Sequence, residues 1–257
     1  MTRWLRFEHD GRELFGTLEG ETITVHTGEM FGAAQATAEQ VPLGTARLLT
    51  PCRPGKMVAL WNNYHAMAQK MGLSTPEHPL YFFKADTSFA PGGETVRRPR
   101  SYDGKVVYEG ELGIVIGKTC KDADVDQAGA AIFGYTCIND ITAAELISKD
   151  ASFAQWVRAK SFDGFGVMGP VVATGLDPAS LSVKTVLNGQ ERQNYPVSDM
   201  VFPPPLLVSL VSQDMTLNPG DVIACGTSIG VGSMKEPSNL VEVTIEGIGT
   251  LSTIYEN

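Results

Sequence analysis

Short alternating apolar and polar runs dominate the 257-residue chain, and most of them read as strands. WLRFEHDGRELFGTLEGETITVH, up to about Gly28, alternates around Asp10-Gly11 and Glu19-Gly20, both hairpin signals. A stretch rich in Ala, Gln and Thr follows. Then Pro42, Pro51 and Pro54 stiffen the connection VPLGTARLLTPCRPGK, which suits a linker. Beyond it, MVALW, YFFKA, ETVRRP, VVYEGELGIVIG, VVAT, LSVKTVLNG, DVIACG and LVEVTIEGIGTLSTIY carry the Val, Ile and Thr content of strands. Helices are expected in NYHAMAQKMG (stopping at Gly72), DVDQAGAAIFG, TAAELISKD into FAQWVRAK, and PPPLLVSLVSQ. The pattern predicts a β-rich α+β fold, with a small N-terminal β module and linker over residues 1–50 and a main domain over 51–257.

Composition narrows the function. A formal charge of −9 argues against nucleic acid as a partner, because phosphate binding needs a basic surface. No apolar run is long enough to span a bilayer, and charges in MTRWLRFEHDGRE occupy the place of a signal peptide's apolar region. Cys52, Cys120, Cys137 and Cys225 are scattered, as expected of reduced thiols in a cytoplasmic protein.

Four segments carry candidate chemistry. In VVYEGELGIVIGK, Glu109 and Glu111 fall two apart on a strand and so face one side, with no bulk at Gly110 on the other. The apolar run after them leads into a buried sheet, where unpaired carboxylates are costly and a divalent cation would offset them. The plain alternative is a solvated strand end, since E-x-E is common. In IFGYTCINDIT, Asp140 taken alone reads as a cap for the following helix TAAELIS. Lys160, among apolar and aromatic neighbours, suits pairing with a substrate carboxylate or enolate; the alternative is a stem that snorkels over aromatic surface. The loop DVIACGTSIGVGSM lacks a P-loop's Gly-Lys-Ser/Thr, which excludes nucleotide binding but leaves a carboxylate-binding loop open.

From about Arg47 to the C-terminus the ordered stretches LLTPCRPGKMVAL, PLYFFKADTSF, VVYEGELGIVIGK, GYTCINDIT, RAKSFDGFGVMGP, LSVKTVLNGQERQ and MTLNPGDVIACGTSIGVG resemble the fumarylacetoacetate hydrolase family. The resemblance implies a fold of rolled mixed sheets, a homodimer, and Mg²⁺ or Mn²⁺ held by Glu109, Glu111 and Asp140. It implies Lys160 as the active-site lysine, with Thr227 and Tyr64 as further substrate contacts. Family chemistry acts on 2-oxo acids and their enols. The leading expectation is therefore hydrolysis of a C–C bond in an acylpyruvate-type 2,4-dioxo acid in aromatic-compound catabolism. Isomerisation or tautomerisation of a 2-hydroxy-dienoate, or decarboxylation, is the alternative, and a non-catalytic oxo-acid binder is the alternative of another class. The family's N-Y-x-x-H-x-x-E pattern fails here: Met67 stands at its His position and Lys70 at its Glu position. His65 is the nearby substitute base, with Glu77 and His78 on a following loop that would serve as a lid. Ala144 stands where many members have Arg, and Ser228 replaces the proline of the G-T-P loop.

Overall fold

The computed structural model describes all residues, Met1–Asn257. The first 27 residues form a three-stranded meander, Thr2–His9, Arg12–Glu19 and Thr22–Thr27. Its first turn is Asp10-Gly11, both left-handed (φ 49° and 71°), the conformation that matches the twist of a tight hairpin. The Ala/Gln/Thr-rich stretch supplies a fourth strand, Gln35–Pro42. These strands are hydrogen-bonded into the main sheet. Thr2, Arg3 and Trp4 pair with Thr174, Ala173 and Val172, so the N-terminal meander extends the central sheet rather than standing beside it.

That mixed sheet runs through Gly166–Thr174, Ile132–Asp140, Gly110–Ile116, Val222–Ala224, Met57–Trp61 and Leu80–Lys84. Alternation sorts the sides of its central strand. Leu112, Ile114 and Ile116 point into the larger core, packed with Val183, Val241, Val243 and Leu251 of a second, five-stranded sheet. Val115 points the other way, into a smaller cluster with Phe82, Ile138 and Met168. Glu111 shares the phase of Val115, and Asp140 that of Ile138, so both carboxylates emerge on this second side.

The expected helices form at His65–Met71, Val125–Ala131 and Pro204–Asp214. Gly72 closes the first with φ 67°, donating its N–H to the carbonyls of Ala68 and Gln69. Asp124 and Gln127 cap the second reciprocally. TAAELIS departs from expectation: it gives only a 3₁₀ turn, Ala144–Leu146, and the following helix is confined to Trp156–Lys160. No helix is long and apolar enough to cross a membrane.

Candidate active site

Glu109 interrupts the strand pair Val106–Tyr108 and Gly110–Ile116, and Glu111 follows one residue inside the sheet. Gly110 between them is dictated by packing: a Cβ there would stand 2.0 Å from Thr185 Oγ1. Asp140 ends strand Ile132–Asp140, opposite Gly166, and its N–H donates to the Glu109 carbonyl at 2.8 Å. These backbone contacts bring carboxylate oxygens of Glu109, Glu111 and Asp140 within 4.8 Å of one another. The helix-cap reading of Asp140 is corrected here. Its carboxylate caps nothing, because two buried lysines hold it.

Lys160, the last residue of Trp156–Lys160, donates to Glu109 Oε2 (2.6 Å) and Asp140 Oδ2 (2.5 Å). Its ammonium also lies 5.5 Å from the centroid of the Phe82 ring, so the aromatic neighbours of the sequence reading are real but the charge is buried rather than snorkelled. Lys84 donates to Asp140 Oδ1 at 2.5 Å and to the Lys160 carbonyl. Thr142 Oγ1 donates to Glu109 Oε1 (3.2 Å), and the Gly226 N–H donates to Glu111 Oε2 (2.9 Å). Gly226 reaches this position with φ 85°, which explains a glycine there.

Burial pushes the Glu109 and Glu111 carboxyls up, Glu111 the further; Lys160 only partly opposes this. Burial acts on Asp140 too, but Lys160 and Lys84 outweigh it and hold that carboxyl below its ordinary range. Burial alone would lower Lys160, yet Asp140 and Glu109 outweigh it and raise it, favouring the ammonium form. Desolvation dominates at Lys84 and lowers it.

A divalent cation fits this set. Three carboxylates against two ammonium groups leave one negative charge, and Glu111 Oε1 is buried with no hydrogen-bond partner. An unpaired buried oxygen is costly, and hard oxygen donors are what Mg²⁺ or Mn²⁺ accepts.

A metal-loaded form should therefore be more stable. Mg²⁺ at about 100 times its Kd should add about 2.7 kcal/mol, read by thermal melting against chelator-treated protein. Glu109 and Glu111, raised in the fold, bind more protons folded than unfolded. They thus subtract from metal-free stability as pH rises above the ordinary carboxylate range, and metal removes that cost. The gain in Tm should shrink as pH falls toward about 5, where protons compete for the same oxygens.

Around the carboxylates the fold assembles a polar brace. Thr227 Oγ1 donates to the Gly110 carbonyl at 3.0 Å and accepts from Gln193 Nε2 at 2.8 Å. Gln193 Oε1 accepts from the Gly110 N–H at 3.0 Å, and Tyr195 Oη donates to the Gly110 carbonyl at 2.5 Å. Tyr64 is fully buried, edge-on to Tyr195 with ring centroids 4.9 Å apart, and its hydroxyl has no partner. His65 follows it as an exposed first residue of helix His65–Met71, with no hydrogen bond to the carboxylates. Lys70 is likewise exposed. Glu77 and His78 line a surface hollow of about 470 Å³ with Trp61, which packs on Trp156.

Lys84 and Gln193 escaped the sequence reading. Each had a signal: a polar side chain at the buried phase of an alternating strand, in LYFFK and QERQNYP.

Residues 56–254 match the model of the fumarylacetoacetate (FAA) hydrolase C-terminal domain, about three quarters of the chain. The chain belongs to the fumarylacetoacetate hydrolase family. Residues 2–51 match a second model, the Rv2993c-like N-terminal domain. Among the chain's relatives, Protein Rv2993c of Mycobacterium tuberculosis is 40% identical over 225 residues, 86% of this chain and 83% of that one. Oxaloacetate tautomerase YisK of Bacillus subtilis is 34% identical over 252 residues, 91% and 83% of the two chains. The crystal structure of 2-hydroxyhepta-2,4-diene-1,7-dioate isomerase from Mycobacterium marinum aligns with a TM-score of 0.90 at 35% identity, covering 100% of this chain and 98% of that one. The β-rich fold of mixed sheets expected from the sequence is the fold observed.

Proposed function

We propose that this protein is a divalent-metal-dependent tautomerase or isomerase of a 2-oxo acid, with an oxaloacetate-like dicarboxylate as the leading substrate class. The observation that carries the reading is the three-carboxylate, two-lysine centre, buried but for a partly exposed Glu109, with the unpartnered Glu111 oxygen. The names of the tautomerase and isomerase relatives support the reaction type. Mg²⁺ or Mn²⁺ on Glu109, Glu111 and Asp140 would supply a Lewis acid for the 1-carboxylate and 2-oxo oxygens. Lys160, charged and desolvated, offsets the negative charge that grows on the 2-oxo oxygen as the enol forms. The rings of Phe82 and Trp156, stacked 5.4 Å apart beside Lys160, keep water from that charge. The loop that carries Thr227 faces the same strand and is the proposed seat of the substrate carboxylate.

Keto–enol exchange moves a proton between C3 and the 2-oxo oxygen and needs no attacking water. That demand fits a chain with Met67 and Lys70 where a His/Glu dyad would stand, and it places tautomerisation ahead of the acylpyruvate hydrolysis expected from the sequence. Hydrolysis is the second reading, with His65 as base, because His65 directly follows the buried Tyr64. The four cysteines, all free and buried, fit a reducing cytoplasm.

The deciding measurement follows the ultraviolet absorbance of enol-oxaloacetate and, separately, the loss of an acylpyruvate, both with Mg²⁺. Enol–keto exchange should run about a hundredfold or more above the protein-free rate, and His65→Ala should leave it near wild type. Acylpyruvate cleavage that collapses in His65→Ala, with no tautomerase activity, would overturn the proposal in favour of the hydrolase. Oxalate binding without turnover of either substrate would leave a non-catalytic binder.

A further inference from the structure

Phe82 and Lys84 are the buried positions of strand Leu80–Lys84. The Lys84 side chain is wholly buried and donates to Asp140 Oδ1 and to the Lys160 carbonyl. Its stem packs over Gly166, where a Cβ would stand 3.1 Å from Lys84 Cε. The next residue continues the tie, since the Ala85 N–H donates to Ser161 Oγ at 2.9 Å. The strand end is thus fastened to the end of the helix that carries Lys160. Asp140 is gripped on one oxygen by each lysine, but Lys160 bridges two carboxylates while Lys84 meets only this one.

The geometry points to Lys84 as a positioning residue that sets the charge of the centre, loosening its hold on the metal and tightening its hold on an anionic substrate. This inference rests on the metal-dependent reading above. With Lys84 the bare centre carries one formal negative charge, and a divalent cation turns it to one positive charge. That loaded centre attracts a carboxylate and favours the added charge of an enolate. Without Lys84 the bare centre would carry two negative charges and hold a cation more tightly. The loaded centre would then be neutral and hold an anion less well. Charges a few ångströms apart inside a protein interact strongly enough to change either affinity about tenfold or more.

The experiment uses Lys84→Met and Lys84→Gln, with Mn²⁺ titrated calorimetrically into metal-free protein at one pH. Oxalate, a planar dianion shaped like an enolate, is then titrated into the Mn²⁺-saturated protein. The Mn²⁺ Kd should fall about tenfold or more in both variants, and the oxalate Kd should rise by a similar factor. A side chain that merely supports the fold would weaken both ligands together. Lys84→Gln keeps a donor for the Lys160 carbonyl without the charge, so it carries the test if Lys84→Met does not fold. Unchanged or weaker Mn²⁺ binding in a folded variant, or unchanged oxalate binding, overturns the role. Failure of the wild-type protein to bind Mn²⁺ is a different result and sinks the metal-dependent reading itself.

Discussion

Asp140→Ala should destabilise the metal-free protein by about 3–5 kcal/mol, besides abolishing metal binding and activity. The side chain is 1% exposed, and its two oxygens are the shared partners of Lys84 and Lys160, which are 0% and 3% exposed. Truncation leaves Lys84 only the Lys160 carbonyl and leaves Lys160 only Glu109, so buried positive charge loses its counter-charge. Removing one member of a buried ion pair is costly for that reason, even though the intact pair itself contributes modestly. From the sequence, where Asp140 stands at a loop, an alanine there would be expected to spare the fold; the lysine grip reverses that expectation. Denaturant unfolding in chelator-containing buffer is the measurement. Wild-type stability in Asp140→Ala would mean that the lysines find other partners and that the centre is not organised around Asp140. Asp140→Asn, which keeps an acceptor oxygen, should lose metal binding at a smaller cost to the fold.

Which parts of this centre the sequence disclosed follows from the range of the physics involved. Strand alternation is local, so the common facing of Glu109 and Glu111 could be read directly from VVYEGELG, and Gly110 marked the crowded opposite side. The hydrogen-bond partners of those carboxylates depend on chain crossings 33 to 115 residues apart, which no local pattern encodes. Asp140 illustrates the limit: its neighbours Asn139 and Thr142 suit a turn, and only the pairing with Gly166 and the lysines shows a strand end. Lys84 shows the same limit: YFFKA reads simply as a strand, and only the folded chain brings its lysine to Asp140. Resemblance to the family supplied what the pattern could not, namely that Lys160 and Asp140 belong to one site. It carried less about proton transfer, because the segment Tyr64–Lys70 departs from the family pattern and its helix leaves His65 and Lys70 at the surface.

Glu111→Gln should behave in the opposite way to Asp140→Ala, and the contrast isolates what each carboxylate does. Glu111 is 1% exposed, touches neither lysine, and keeps one hydrogen bond, from the Gly226 N–H to Oε2. Its other oxygen has no partner, and burial raises its carboxyl well above the ordinary range. Ionised Glu111 in metal-free protein therefore opposes folding, whereas the amide of glutamine is neutral and can still accept from Gly226. Metal-free Glu111→Gln should unfold at the wild-type denaturant midpoint or above it, by up to about 1–3 kcal/mol if the whole cost of the unpaired oxygen is relieved. Calorimetry should show no Mn²⁺ binding at concentrations that saturate the wild type, and turnover should fall about a thousandfold or more with the loss of Lewis-acid stabilisation. Glu111 costs stability when bare, so a bound cation is what would give its buried charge a purpose. Full Mn²⁺ binding by Glu111→Gln would remove Glu111 from the metal centre and leave its buried charge without an explanation.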